Sequence, residues 1–141
     1  MGEREQTKQG VETREYALFA AANSGEGFKS FYGEIFSPER LLRRYLIKGG
    51  AGSGKSSLMR RVAQAVSSRG HCVEYYYCSS DPNSLDGITI SDMGISFIDG
   101  TAPHVYEPTC VGAFEEIINL GAFWNRDVLF GWRWRRRHCR D

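Results

Sequence analysis

The sequence predicts an α/β fold built on a mainly parallel sheet, of the three-layer kind in which helices cover both faces, and three observations predict it. A glycine-rich string, Gly49-Gly50-Ala51-Gly52-Ser53-Gly54-Lys55-Ser56, stands between a short β-prone run, Tyr45-Leu46-Ile47, and a stretch of helical period. Residues 72–78 (Cys-Val-Glu-Tyr-Tyr-Tyr-Cys) and residues 95–98 (Ile-Ser-Phe-Ile) read as further strands. Strands alternating with helices imply parallel pairing, with ligands beyond the carboxyl ends of the strands. Only about three strands can be counted, fewer than the roughly five usual in a doubly wound sheet, so the sheet reads as incomplete.

The glycine-rich string is a full G-x-x-x-x-G-K-[ST] phosphate-binding loop. Its four glycines allow backbone conformations closed to other residues, so successive N–H groups can turn inward around a polyphosphate. Residues Gly49, Gly50, Ala51, Gly52, Ser53, Gly54, Lys55, Ser56 and Ser57 are therefore the candidate nucleotide contacts. Lys55 would bring an ammonium to the β- and γ-phosphates, and the Ser56 hydroxyl would ligate Mg²⁺. The bland alternative is a glycine-rich turn before an ordinary amphipathic helix. A dinucleotide fingerprint fails, because the register starting at Gly50 and Gly52 needs glycine where Lys55 stands. Strand, loop and helix follow in the order a phosphate loop requires, which predicts the three-layer fold of P-loop NTPases.

The helix after the loop carries Leu58, Met59, Val62, Ala65 and Val66 at the spacing of one buried stripe, and Gly70 is its stop. Upstream, residues 1–15 are charged and polar and read as a frayed or helical leader. Tyr16, Leu18 and Phe19 begin an apolar patch that ends in the turn-forming residues 23–27. Phe28, Phe31, Tyr32, Ile35 and Phe36 follow helical spacing, as a core face or, less simply, as a base-stacking platform. Ser37-Pro38 reads as an N-cap with proline at the first position of a short helix through Leu41 and Leu42. Downstream, residues 79–84 read as a loop and 88–90 as a brief β segment. Phe114, Ile117, Ile118 and Phe123 mark the apolar side of a last helix.

A phosphate loop needs a carboxylate to organise the magnesium shell. Asp99, ending a hydrophobic strand, is the best candidate, with a turn role as the alternative. Asp81, directly after the second strand, competes for that task or would orient the attacking water. Asp86 precedes Gly87 and has a strong turn reading, and His104 lies on the same rim as a phosphate contact, an acid–base group or an ordinary exposed histidine. The residue after Asp99 is Gly100 rather than a water-polarising glutamate, so slow turnover is expected. Asn125-Arg126-Asp127 lacks the lysine of a guanine-reading motif, which favours ATP.

At 141 residues the chain is at most one modest domain, and its composition is that of an ordinary globular protein. No run approaches the ~18 apolar residues of a membrane span, and the start lacks a signal-peptide core, so a cytoplasmic location is expected. Cys72, Cys78, Cys110 and Cys139 form no C-x-x-C pair, which points to reduced thiols rather than zinc or disulfides. The net charge of +1 hides an asymmetry, since residues 126–141 alone contain six arginines against two aspartates.

Several strings together resemble an uncharacterised bacterial (Firmicute-type) P-loop ATPase family. They are 47–59 (Ile-Lys-Gly-Gly-Ala-Gly-Ser-Gly-Lys-Ser-Ser-Leu-Met), 78–87 (Cys-Ser-Ser-Asp-Pro-Asn-Ser-Leu-Asp-Gly), 99–106 (Asp-Gly-Thr-Ala-Pro-His-Val-Tyr) and 116–121 (Glu-Ile-Ile-Asn-Leu-Gly). The likeness covers roughly residues 16–124. Members have two P-loop halves and more than twice this length, so the resemblance implies a partial P-loop domain over 16–124, the N-terminal part of a larger ATPase. It implies Gly54, Lys55 and Ser56 as nucleotide ligands, and Asp81, Asp86, Asp99 and His104 as shared motif positions without assigned roles.

The likeness stops at the Arg- and Trp-rich residues 125–141, which read either as a nucleic-acid-binding tail or, more simply, as translation in a wrong frame. The function expected is ATP binding with magnesium-dependent hydrolysis, catalysed through Lys55, Asp99 and Asp81 with Ser56 and Asp99 on the metal. The alternatives are a P-loop kinase with a small acceptor and a non-catalytic nucleic-acid module. An incomplete sheet further implies poor activity in isolation and self-association through an unpaired edge.

Overall fold

The β-prone run before the glycine loop is strand β5 (Arg43–Lys48), and the helical stretch after it is α2 (Lys55–Ser67). The computed structural model describes residues 3–8, 11–25, 27–101, 108 and 110–125. His104 and residues 126–141, with their arginine-rich run, lie outside the described residues, as does Cys139. In chain order the other elements are β1 (Glu3–Lys8), β2 (Val11–Phe19), β3 (Ala21–Ser24), β4 (Gly27–Ser30) and the single-turn α1 (Tyr32–Ile35). After α2 come β6 (Val73–Tyr77), β7 (Leu85–Ile90), β8 (Ile95–Asp99), β9 (Glu115–Asn119) and a 3₁₀ turn over Leu120–Phe123.

The main sheet has seven strands in the order β1-β2-β6-β7-β8-β5-β9, with β3 and β4 paired as a separate hairpin. The pairs β2–β6, β5–β8 and β5–β9 are parallel, while β1–β2, β6–β7 and β7–β8 are antiparallel. This overturns the expected three-layer, mainly parallel α/β fold: the molecule is mostly β, on a mixed sheet. The physical reason is connection length. Parallel neighbours need a crossover of about a dozen residues, whereas Ser91 to Gly94 leave only a tight turn between β7 and β8, with Gly94 at a φ of 64°. Among the described residues the main sheet has seven strands where about three were counted from sequence.

Two apolar clusters sit on opposite faces of this sheet, and adjacent residues of one strand feed both, as strand alternation requires. Ile47, Met59, Ala63, Val73, Leu85 and Ile88 form the cluster beneath α2, with Leu58, Val62 and Val66 of the expected stripe packed against it. Ala65, placed on that stripe by spacing, is exposed, and Ala63 and Ser67 are buried in its stead. Leu46, Tyr76 and Ile98 point to the other face, where Ala20, Ala21, Tyr32, Phe36 and Leu41 cover them. That cover is the excursion between β2 and β5 rather than a helical layer.

Four local expectations fail with it. The charged leader is a hairpin, β1 with β2, because β2 pairs in register with β6 from Glu15 to Phe19. The aromatic stripe at 28–36 is not one helix: Phe28 belongs to β4, and only Tyr32–Ile35 turn helically. The Ser37-Pro38 segment closes a single turn, with Leu41 N bonded to Ser37 O at 3.1 Å. Leu42 N and Arg43 N then both bond to Gly94 O, drawing the chain into β5. The last helix is β9 plus a 3₁₀ turn. There the buried Arg44 donates to the Glu115 carboxylate, whose other oxygen accepts from Cys110 N at 2.8 Å, so one ion pair fixes β9 against β5. Among the described residues no helix is long and apolar enough to cross a membrane.

Candidate functional site

Because β5, β6, β8 and β9 run the same way, their carboxyl ends share one rim. The glycine loop leaves β5 there, beside the end of β8, where Ile47 is the register partner of Asp99 and Gly100 N bonds to Ile47 O at 3.0 Å. Gly52 and Gly54 have φ of 74° and 90°, the left-handed region that L side chains rarely adopt. A Cβ on Gly49 would come within 2.6 Å of Ser53 Oγ, so this position is closed to larger residues as the loop stands. Gly54 caps α2 without a side chain, and helix geometry leaves the first N–H groups of α2 without intrahelical acceptors. That is the local geometry that receives a phosphate.

Lys55 is half-buried at the first position of α2. Its Nζ donates to Gly49 O at 2.8 Å and Gly50 O at 3.0 Å, and lies 3.8 Å from Asp99 Oδ2. The other carboxylate oxygen of Asp99 accepts from Thr101 N at 3.0 Å and from the Thr101 hydroxyl. Lys48 Nζ donates to Gly100 O at 2.7 Å, tying the strand end that carries Asp99 to the strand that carries the loop. Lys55 and Asp99, chosen from sequence, are thus brought together.

The other chosen residues are used differently. Ser56 Oγ accepts from Leu85 N at 3.2 Å and lies 3.3 Å from Ser84 Oγ, so its bonds run to the start of β7 rather than to Asp99. Ser57 is exposed. Asp81 is exposed too, and its Oδ1 accepts from Asn83 N at 3.0 Å while its carbonyl accepts from Ser84 N at 2.9 Å, the contacts of a turn. Asp86 is buried. Burial and a hydrogen bond to the Asp86 carboxylate, in that order, push the Tyr32 phenol well above its usual range.

Sequence reasoning missed Ser84, Lys48, Thr101 and Trp124. The indole of Trp124 flanks the loop, since a Cβ on Gly50 would meet Trp124 Cη2 at 3.4 Å. The 3₁₀ turn that precedes it is capped by Asn119, whose Oδ1 accepts from Gly121 N at 2.9 Å. A short polar residue two positions before a glycine was the only signal for that cap.

No protein-family model, curated protein or solved structure matches this chain.

Phosphate groups fit the donors present: the glycine cradle, the Lys55 ammonium and the N–H groups without intrahelical acceptors at the start of α2 all suit phosphate oxygens. The buried Ser53 hydroxyl, without a hydrogen-bond partner, adds a polar atom inside the loop. Among the described residues no group of three or more His, Cys, Asp or Glu side chains could hold a metal ion. Magnesium needs no such cage, because it is commonly held by one or two protein oxygens together with substrate phosphates and water. Ser56 and Asp99 supply hard oxygens of that kind.

Proposed function

We propose that the chain binds ATP at residues 49–57 and, with Mg²⁺ held through Ser56 and Asp99, serves slow ATP hydrolysis in a larger protein. One observation carries the reading: the Lys55 ammonium sits between two carbonyls of the glycine loop and the Asp99 carboxylate at the end of the neighbouring parallel strand. A polyphosphate in the cradle takes over the Lys55 bonds now made to Gly49 and Gly50, exchanging neutral acceptors for charged ones. Bound magnesium neutralises charge on the phosphates. Asp99, braced by Thr101 and by the Lys48–Gly100 bond, keeps its position while Lys55 changes partners. Gly100 follows Asp99 and offers no carboxylate for the attacking water, and Asp81 is engaged in its own turn, which supports slow turnover. The strings at 47–59, 78–87, 99–106 and 116–121 support kinship with the two-halved bacterial ATPases they resemble.

The test is calorimetric titration of ATP, with and without Mg²⁺, into the parent protein and Lys55→Ala, with circular dichroism as the fold control. The parent binds Mg-ATP, and the variant binds it about ten- to a hundredfold more weakly. Equal affinities would remove the phosphate-loop assignment.

A further inference from the structure

A hydroxyl has one proton to give and two lone pairs to receive. Ser56 Oγ already receives the Leu85 N–H, so its contact with Ser84 Oγ decides what remains. If Ser56 donates to Ser84, one lone pair of Ser56 stays available to a cation. If Ser84 donates, both lone pairs are taken and only a proton is presented. The element carrying Ser84 is firmly placed. Asp81 folds residues 79–84 on themselves, Cys78 N closes the loop onto Ser84 O at 3.1 Å, and Arg60 Nη2 of α2 grips Asn83 O at 2.8 Å. The Arg60 guanidinium in turn lies over the Tyr77 ring, at 5.8 Å from its centroid. The β6–β7 loop is therefore docked on α2 at two points one turn apart.

We propose that Ser84 is a positioning residue of the nucleotide site: it accepts the Ser56 proton and so keeps a Ser56 lone pair for a hard divalent cation. This rests on the ATP reading above and adds to it a residue outside the phosphate loop. Ser84 touches neither nucleotide nor metal and acts through Ser56. It also gives the Asp81-bearing loop a part in the site that the Asp81 carboxylate itself does not need to play.

The experiment compares parent, Ser84→Ala, Ser84→Thr, Ser56→Ala and the Ser56→Ala/Ser84→Ala double variant by titration with ATP in magnesium and in a chelator. Ser84→Ala weakens Mg-ATP binding about three- to tenfold, the range of one neutral hydrogen bond, and leaves magnesium-free ATP within about twofold. Ser84→Thr restores the parent affinity. In the Ser56→Ala background, Ser84→Ala adds no further loss, because the group it acts through is gone. Equal weakening with and without magnesium, or a loss that persists without the Ser56 hydroxyl, would overturn the proposal in favour of a merely structural role. An unchanged Ser84→Ala affinity beside a binding parent overturns this proposal alone, whereas a parent that binds no Mg-ATP removes the ATP reading and this proposal together. Should Ser84→Ala misfold, Ser84→Gly repeats the comparison with the same outcomes.

Discussion

Lys55 Nζ stands 3.8 Å from Asp99 Oδ2, across the ends of two parallel strands whose register pairs Ile47 with Asp99. Strand pairing places Asp99 beside the start of the glycine loop, and the bonds from Lys55 Nζ to Gly49 O and Gly50 O hold the ammonium near it. The pair is partly solvated, so the ion pair itself contributes little to stability. Its consequence lies in where the charges are held.

Lys55→Ala is expected to lower ATP affinity by about ten- to a hundredfold, since bonds to charged acceptors contribute roughly 1.5–3 kcal/mol. The thermal midpoint changes little. Titration and circular dichroism on the same samples check both halves, and an unfolded variant or an unchanged affinity contradicts the expectation.

Gly49→Ala places a Cβ 2.6 Å from Ser53 Oγ and so displaces the loop, whereas Gly54→Ala meets nothing within 4 Å and is strained only by its φ of 90°. The first is expected to damage ATP binding and to recover in part when Ser53→Gly is added. The second costs about 1 kcal/mol of stability. Affinity and denaturant midpoints of the three variants separate steric from backbone effects.

Arg44 and Glu115 form a buried ion pair, with the Arg44 guanidinium also donating to Phe36 O and lying 4.9 Å from the Phe114 ring centroid. Removing one partner strands the other charge, so Arg44→Ala is expected to cost about 3–5 kcal/mol. The paired change Arg44→Met with Glu115→Leu is expected to be much milder. Urea unfolding of the single and double variants measures the difference.

Buried phenols make the fold sensitive to alkali. Tyr32, Tyr75 and Tyr76 are all pushed up, first by burial and then by neighbouring carboxylates, Tyr75 to about 12. A pKa raised in the folded state gives stability that is complete below the unfolded value of about 10 and is lost as pH rises above it. Stability is therefore expected to fall from about pH 10 upward, and less steeply in Tyr32→Phe. Denaturant titrations between pH 8 and 11 follow this, with tyrosinate absorbance as an independent readout.

Trp124 flanks Gly50, so its emission is expected to report on the loop. Saturating Mg-ATP changes the fluorescence of the parent, and Trp124→Phe removes most of that change while Trp132 and Trp134 remain. A response that survives the substitution would place the signal elsewhere.

What could be read from the chain was local. The phosphate-loop string, the period of α2, the β-branched and aromatic runs of β6 and β8, and Asp99 at a strand end all carry their signal within a few residues. Expectations failed where a partner far along the chain decides. Residues 114–123 have apolar spacing compatible with a helix, but β5 offers them a free edge and the Arg44–Glu115 pair fixes them there as β9. Residues 1–15 look like a charged leader until β6 supplies the parallel partner for β2, against which β1 then pairs. One misreading was avoidable in principle, because the four residues between β7 and β8 are too few for a parallel crossover.

The sequence by itself therefore determined the strand–loop–helix unit and the identities of Lys55, Ser56 and Asp99, since backbone freedom at glycine and side-chain chemistry are properties of the residues. Tertiary structure alone decided the mixed, mostly β sheet, the meeting of Lys55 with Asp99 and the turn of Ser56 toward Ser84 and Leu85. Each of these depends on which strands pair and in which direction, and that is set by the summed burial and hydrogen bonding of segments distant in the chain.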